Sequence, residues 1–352
     1  MIGYGSFLDG IFMGDRMIYK FDKGRDLFFD FVKFFAIFLV ILGHVIGKGS
    51  IGNTTGITNF IVGMNMPIFF AISGYFASST LATGDGARFF RHIRSYFWPF
   101  AVVSVIFSVL AIPFGLSTLQ GAPVYALKRF LFAGWFIWVL GLVYGIVFGS
   151  CFFAKKISCK KSFVVSSVLL LIFLIPECIW HFGGVRCMIP FFLIGAFVFT
   201  RIHLWEYAWV GIPSFILYVG MCFLVPDFNT SGLSFYVSHT SVWAFVDNPI
   251  YILHFVERII IGSIGIVGTM FVIKKVCKVS CVCNTLAPFG TTTLGVYILH
   301  QWMLDRLADY GLFPLPFYLI LLLSILLFVF CHYLTSWTLN NVVLRKWVWG
   351  KR

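Results

Sequence analysis

The chain is 352 residues long, 60% hydrophobic and 11% charged, with a mean hydropathy of +0.95. This excludes an ordinary soluble domain, in which about a quarter of residues carry charge. The formal net charge of +13 would point to nucleic acid in a soluble protein, but here the placement of the basic residues gives the charge a different meaning and leaves no nucleic-acid partner expected.

Apolar runs predict an all-α, polytopic membrane bundle of about ten transmembrane helices, near residues 27–47, 58–79, 96–116, 130–153, 163–180, 187–200, 206–225, 251–273, 291–305 and 316–339. With the N-terminus in the cytoplasm, the inner segments hold Arg16, Lys20, Lys23, Arg25, Arg88, Arg91, Arg94, Lys155, Lys156, Lys160 and Lys161. Arg201, Lys274, Lys275, Lys278, Arg345, Lys346, Lys351 and Arg352 follow on the same side. The outer segments hold only Lys48, Lys128, Arg129, Arg186 and Arg306, with Lys33 and Arg258 inside spans. Such a bias predicts cytoplasmic termini, with attraction to anionic membrane lipid as a by-product. The expected organisation is a cytoplasmic tail at 1–26, one transmembrane domain at 27–339 and a basic cytoplasmic tail at 340–352. Met1 to Lys20 lacks the continuous apolar core of a cleaved signal peptide, so the first span is expected to be the insertion signal.

That first span carries Asp30, Lys33 and His44. A charge at the centre of a membrane helix costs about 2.5–3.5 kcal/mol on insertion scales, so these side chains should face a protein interior or a wet cavity. At 100° per residue they share one stripe, with Lys33 and His44 about 16 Å apart along the axis. Asp30 is placed to pair with Lys33, and any ligand that meets both Lys33 and His44 must be elongated. In the second span Pro67 removes a backbone donor and Gly74 permits close approach, predicting a kinked, tightly packed helix. Asn65 and Ser73 fit either that packing or the lining of the His44 cavity.

The next inner loop holds Arg88, Arg91 and Arg94 at i, i+3 spacing. Positive-inside anchoring accounts for them, and so does a helical turn that binds phosphate through guanidinium groups. Trp135, at the outer start of the fourth span, reads as part of an aromatic belt. Glu177 and His181 read as a pair at a helix end, and Pro190 to Gly195 as another bent, packed helix. The longest outer loop, Pro226 to Pro249, has aromatic residues, Asp227, His239 and Asp247 but no Lys or Arg; its length points to a lid or recognition surface. In the eighth span His254 and Glu257 share a face beside Arg258, with structural and functional roles both open. His300 in the ninth span reads as an interhelical hydrogen-bonder or a site residue. The nine cysteines form no disulfide framework; Cys277, Cys281 and Cys283 share an inner loop without an accompanying His or second pair, so no metal is expected.

Asp30-x-x-Lys33, followed by ten residues and then His44, resembles the first-helix signature of the integral-membrane acyltransferase type 3 family, in which ten residues separate an Arg or Lys from a His. The second span, Met66-Pro67 through Ser73-Gly74-Tyr75, is similar to the family's proline-phenylalanine-serine-glycine run. Arg91-x-x-Arg94, Trp135-Phe136, Pro190-Phe191-Phe192-x-x-Gly195 and Tyr297-Ile298-Leu299-His300 follow in family order, and ten spans is the family's usual count. The chain departs in having Asn65 where many sugar-modifying relatives have His, and its Lys33 lacks the bidentate fork of Arg.

The resemblance implies a membrane-bound O-acyltransferase, most often an O-acetyltransferase of a cell-envelope polysaccharide or its precursor, in a bacterial inner membrane. Acetyl-CoA or another acyl-CoA would be a co-substrate and no cofactor permanently bound; the other partners would be a carbohydrate or lipid-linked glycan acceptor and membrane lipid. Acyl transfer to an alcohol needs a base that titrates near neutrality and a cation or donors to steady developing negative charge. His44 is expected as general base or transient acyl acceptor, Lys33 as the group that orients the donor or stabilises charge, and Asp30 as the anchor of Lys33. Arg91 and Arg94, with Arg88, would grip the CoA phosphates, and the thin pantetheine arm would thread from Lys33 towards His44. Asn65, Ser73, Trp135, His254, Glu257, Arg258 and His300 are the pocket candidates. A transporter or flippase of envelope precursors is the competing reading, because it too uses buried ionisable residues, although the paired interrupted helices of many transporters are not seen.

Overall fold

The computed structural model describes residues 26–156, 168, 182–224 and 250–351. The N-terminal tail, nearly all of the expected fifth span with Glu177 and His181, and the loop from Pro226 to Pro249 lie outside these residues.

The first helix, α1 (Leu27–Gly47), starts where the Asp26 carboxylate accepts the backbone N–H of Phe28 at 2.9 Å, satisfying one of the donors that a helix start leaves free. A two-residue strand, β1 (Ser50–Ile51), leads to α2 (Thr55–Thr83), which runs on through Pro67. Gly84 closes α2 with φ of 70°, and Asp85 immediately caps α3 (Gly86–Leu110) by accepting from Arg88 N at 3.0 Å. A left-handed glycine followed by an acidic cap is a sequence-encoded turn between two helices. The short α4 (Ala122–Lys128) passes into a π-helical turn (Arg129–Ala133) and then α5 (Trp135–Lys156). Next come α6 (Phe182–Leu193), with its own π-helical extension (Ile194–Phe199), α7 (Ala208–Leu224) and α8 (Ile250–Val276). The short α9 (Ser280–Leu286) and a 3₁₀ turn (Ala287–Thr292) introduce α10 (Thr293–Asp309). Strand β2 (Leu315–Pro316), α11 (Phe317–Asn340) and α12 (Val342–Trp347) complete the described chain.

Six of the described helices are long and apolar enough to cross a membrane: α1, α2, α3, α5, α8 from Phe255 onward, and α11. Helices α6 with its extension and α7 are apolar but shorter. The chain is therefore an all-α, multi-pass membrane bundle. The expected ninth span, α10, is only 17 residues long and carries His300, Gln301, Asp305 and Arg306 from its middle onward, so it belongs to neither group.

Helix α1 is the axis of the bundle. Val32, Ala36, Ile37, Val40 and Ile41 are almost wholly buried, and α1 packs against α2, the 3₁₀ turn, α10 and α11. Three glycines set the closest approaches. A Cβ on Gly74 would collide with the carbonyl of Phe192, one on Gly195 with the carbonyl of Ala71, and one on Gly290 with the carbonyl of Asp30. Helices α2 and α6 thus meet backbone to backbone, as small residues permit in membranes. The chain from Gly290 through α10 runs parallel to α1, placing Gly290 beside Asp30, His300 beside His44 and Lys48 against Asp305 at 2.7 Å. The pairing of β1 with β2, also parallel, continues that register through Ser50 and Leu315.

Candidate functional site

Asp30 and Lys33, one turn apart on α1, form an ion pair of 3.1 Å. The carboxylate side chain is 3% exposed and the lysine 28%, so the acid is set in the wall and the ammonium faces out of it. Lys33 also lies 5.1 Å from the ring centroid of Phe76, a cation–π distance that fixes its stem and head against α2.

What Lys33 faces is a cavity of about 350 Å³. Ile37 of α1, Ser73 and Phe76 of α2, His92 and Tyr96 of α3, Leu140 and Tyr144 of α5, Phe192 of α6 and Thr291, Thr293 and Tyr297 of the α10 segment line it. The walls are mostly apolar with a few converging polar groups, the usual make-up of a small-molecule site, and the volume is near the lower end for one. Among the sequence-predicted residues Lys33 and Ser73 belong to this wall. His92 and Tyr144 were not singled out from the sequence, yet they lie together on it, with the Tyr144 hydroxyl 3.3 Å from His92 Nδ1.

Arg88, Arg91 and Arg94 are exposed on α3, Arg88 one turn before His92 and Arg94 on the opposite side of the helix from it. Arg88 is engaged locally, donating to Ser79 Oγ at 3.4 Å and approaching Asp85 Oδ2 at 3.7 Å. The Arg88 backbone N–H, helped by its guanidinium, holds the Asp85 carboxyl below the usual carboxylate range. Arg94 stacks over Trp98 at 5.7 Å.

At the other end of α1, His44 is half-buried and its ring centroid lies 5.3 Å from that of His300. His300 is 1% exposed; its Nδ1 donates to the Val296 carbonyl at 3.0 Å, which leaves Nε2 as an acceptor, and that atom is buried with no hydrogen-bond partner among the described residues. The cavity does not reach His44 directly. Phe136 and Tyr297 on its wall pack at 5.1 Å, Tyr297 packs on His300 at 5.7 Å, and His300 meets His44. An aromatic layer therefore stands between the Lys33 cavity and the two imidazoles, where an unbroken passage was expected.

The other sequence candidates are more scattered. Asn65 is buried, its Oδ1 accepting from Met66 N at 2.7 Å next to Pro67, and it is off the cavity wall. Trp135 opens α5 with its ring 6.3 Å from Phe136. Arg258 is buried in α8 and donates to the Val62 carbonyl at 3.4 Å, Glu257 beside it is half-buried, and the side chain of His254 lies outside the described residues. Cys277 and Cys283 have their sulfurs 3.1 Å apart as free thiols, and burial pushes Cys277 up to about 12.

Over 197 residues, 51% of this chain, the sequence is 28% identical to the nodulation protein NolL of Sinorhizobium fredii (strain NBRC 101917 / NGR234); the match spans half the length of that relative. No solved structure matches. The family described as an acyltransferase domain, Acyl_transf_3, matches residues 26–336, from the cap of α1 to the last turn of α11, and the chain belongs to that family.

Proposed function

We propose that this protein moves an acyl group, acetyl in the first instance, from cytoplasmic acyl-CoA to a hydroxyl of a cell-envelope polysaccharide or its precursor, across a bacterial inner membrane. The observation that carries the reading is the Asp30–Lys33 pair, its acid buried and its lysine on the wall of a narrow cavity, with His44 further along the same helix against His300. The cavity suits a thin acyl-pantetheine arm rather than a nucleotide, whose phosphates would stay with Arg91, Arg94 and Arg88 at the exposed face of α3.

In the transfer, His44 accepts the proton of the acceptor hydroxyl as its oxygen forms a bond to the acyl carbon, the thioester C–S bond breaks, and the CoA thiolate leaves as the thiol with the proton that His44 gives up. Lys33 steadies the donor end of the arm, and Asp30 keeps the ammonium in place. For the acyl carbon to reach His44, Tyr297 and Phe136 must part.

Purified protein should consume acetyl-CoA in the presence of an acceptor and without any ion gradient. His44→Ala should lose at least about a hundredfold in rate, within the range for a positioned general base. Acetyl-CoA turnover that survives His44→Ala unchanged, or envelope precursor movement without turnover, would overturn the assignment.

A further inference from the structure

Within electrostatic reach of His300, which meets His44, four side chains stack in series. The Arg129 guanidinium lies 4.6 Å over the Phe107 ring, Phe107 stacks on Trp302 at 4.6 Å and 5°, and the Arg306 guanidinium sits 6.0 Å from the Trp302 ring. The π-helical turn that begins at Arg129, helix α3 and helix α10 each contribute to the stack.

Several polar atoms in and beside it are left unused. Arg129 Nε, Trp302 Nε1, Arg306 Nε and His300 Nε2 are all buried and have no hydrogen-bond partner among the described residues. Buried polar atoms in native proteins are nearly always paired, because a donor taken out of water without a partner loses its hydration and gains nothing in return. Four in one neighbourhood, three of them N–H donors, describe a site built for acceptor atoms that belong to something else.

Charge narrows the chemistry. Asp305 is taken by Lys48 at 2.7 Å and Asp309 by Arg306 at 2.8 Å. Arg129 makes no ion pair with any described residue, and it lies within electrostatic reach of Tyr297, His300, Asp305 and Arg306. Burial pulls its guanidinium down only to about 10, so it is charged at neutral pH. One uncancelled cation thus remains, flanked by unpaired donors and an acceptor nitrogen.

We propose that the Arg129–Phe107–Trp302–Arg306 stack is the acceptor subsite, and that it takes an oxyanionic group, carboxylate or phosphate, carried by the same molecule whose hydroxyl is presented to His44. This rests on the acyltransferase reading above and narrows its acceptor to an acidic glycan. A guanidinium holds either oxyanion through two parallel N–H bonds, which a neutral sugar cannot match.

The test is calorimetric titration of the full-length protein in lipid nanodiscs with a glucuronate-containing tetrasaccharide, a glycerol-phosphate tetramer, a neutral glucose tetrasaccharide and acetyl-CoA. At least one anionic probe should bind tenfold or more tighter than the neutral one, and its binding should weaken with salt. The better of the two anionic probes names carboxylate or phosphate. Arg129→Gln should abolish the preference and Arg129→Lys should keep part of it, since charge remains and the fork is lost; acetyl-CoA binding should be unchanged in both, which also reports folding. Equal binding of neutral and anionic probes, binding of neither anion, or an undiminished preference in Arg129→Gln overturns the subsite. Wild-type protein that binds an anionic probe but no acetyl-CoA leaves the subsite standing and removes the acyltransfer reading instead.

Discussion

The ammonium of Lys33 is fixed by Asp30 on one side and the Phe76 ring on the other before any ligand arrives. Charge held in place ahead of the reaction stabilises a transition state without reorganisation. Lys33→Met keeps the stem and deletes the charge, so kcat/KM for acyl transfer is expected to fall by about 10²–10³, the loss usual for one preorganised stabilising group. Lys33→Arg, which restores a cation, should recover most of it; equal rates for wild type and Lys33→Met would remove the lysine from the chemistry. The Asp30–Lys33 pairing was legible from the sequence, because i, i+3 spacing on an apolar helix leaves those two groups few other partners. The cavity role of His92 was hidden by its arginine neighbours, although His92 and Tyr96 are i, i+4 and lie on the apolar face of α3, which is the readable sign that they point inward.

At the scale of the elements, the bundle depends on two helices meeting with almost nothing between them. Gly195 faces the Ala71 carbonyl and Gly74 the Phe192 carbonyl, and both contacts lie one residue or a turn away from cavity residues Ser73 and Phe192. Gly195→Ala forces α2 and α6 apart and is expected to destabilise by about 1–3 kcal/mol, as overpacking does, lowering the thermal midpoint in detergent and the rate of transfer together. Gly145→Ala on α5, where an added Cβ meets nothing within 4 Å, is the control and should leave both unchanged. The close approach at Gly74 and the Gly84–Asp85 turn can be read locally, since each rests on what a single residue type allows. The parallel run of α10 beside α1, which brings His300 to His44 and Lys48 to Asp305, rests on contacts about 250 residues apart in sequence and has no local signature. The π-helical turns at Arg129 and Ile194 are equally silent in the sequence, because they answer to packing rather than propensity.

Across the whole molecule, the cationic face of α3 and the Lys33 cavity occupy one end of the bundle, and His44, His300 and the Arg129 stack occupy the other. The orientation proposed from the bias of basic residues has the first end facing the cytoplasm. In the proposed transfer, donor and acceptor enter from opposite sides and meet at His44, with Phe136 and Tyr297 between His44 and the Lys33 cavity at rest. A two-sided arrangement has a consequence that a one-sided enzyme does not share. In vesicles of uniform orientation, acetyl-CoA supplied on the face bearing Arg91 and acceptor supplied on the opposite face should give product, whereas both substrates on either single face should give little. Tyr297→Ala opens the aromatic layer and should raise the leak of acetyl groups to water, measured as acceptor-independent acetyl-CoA hydrolysis, because the imidazoles then see both compartments at once. Product formed only when both substrates share a face would mean that the two ends of the bundle do not serve separate substrates, whatever the role of His44.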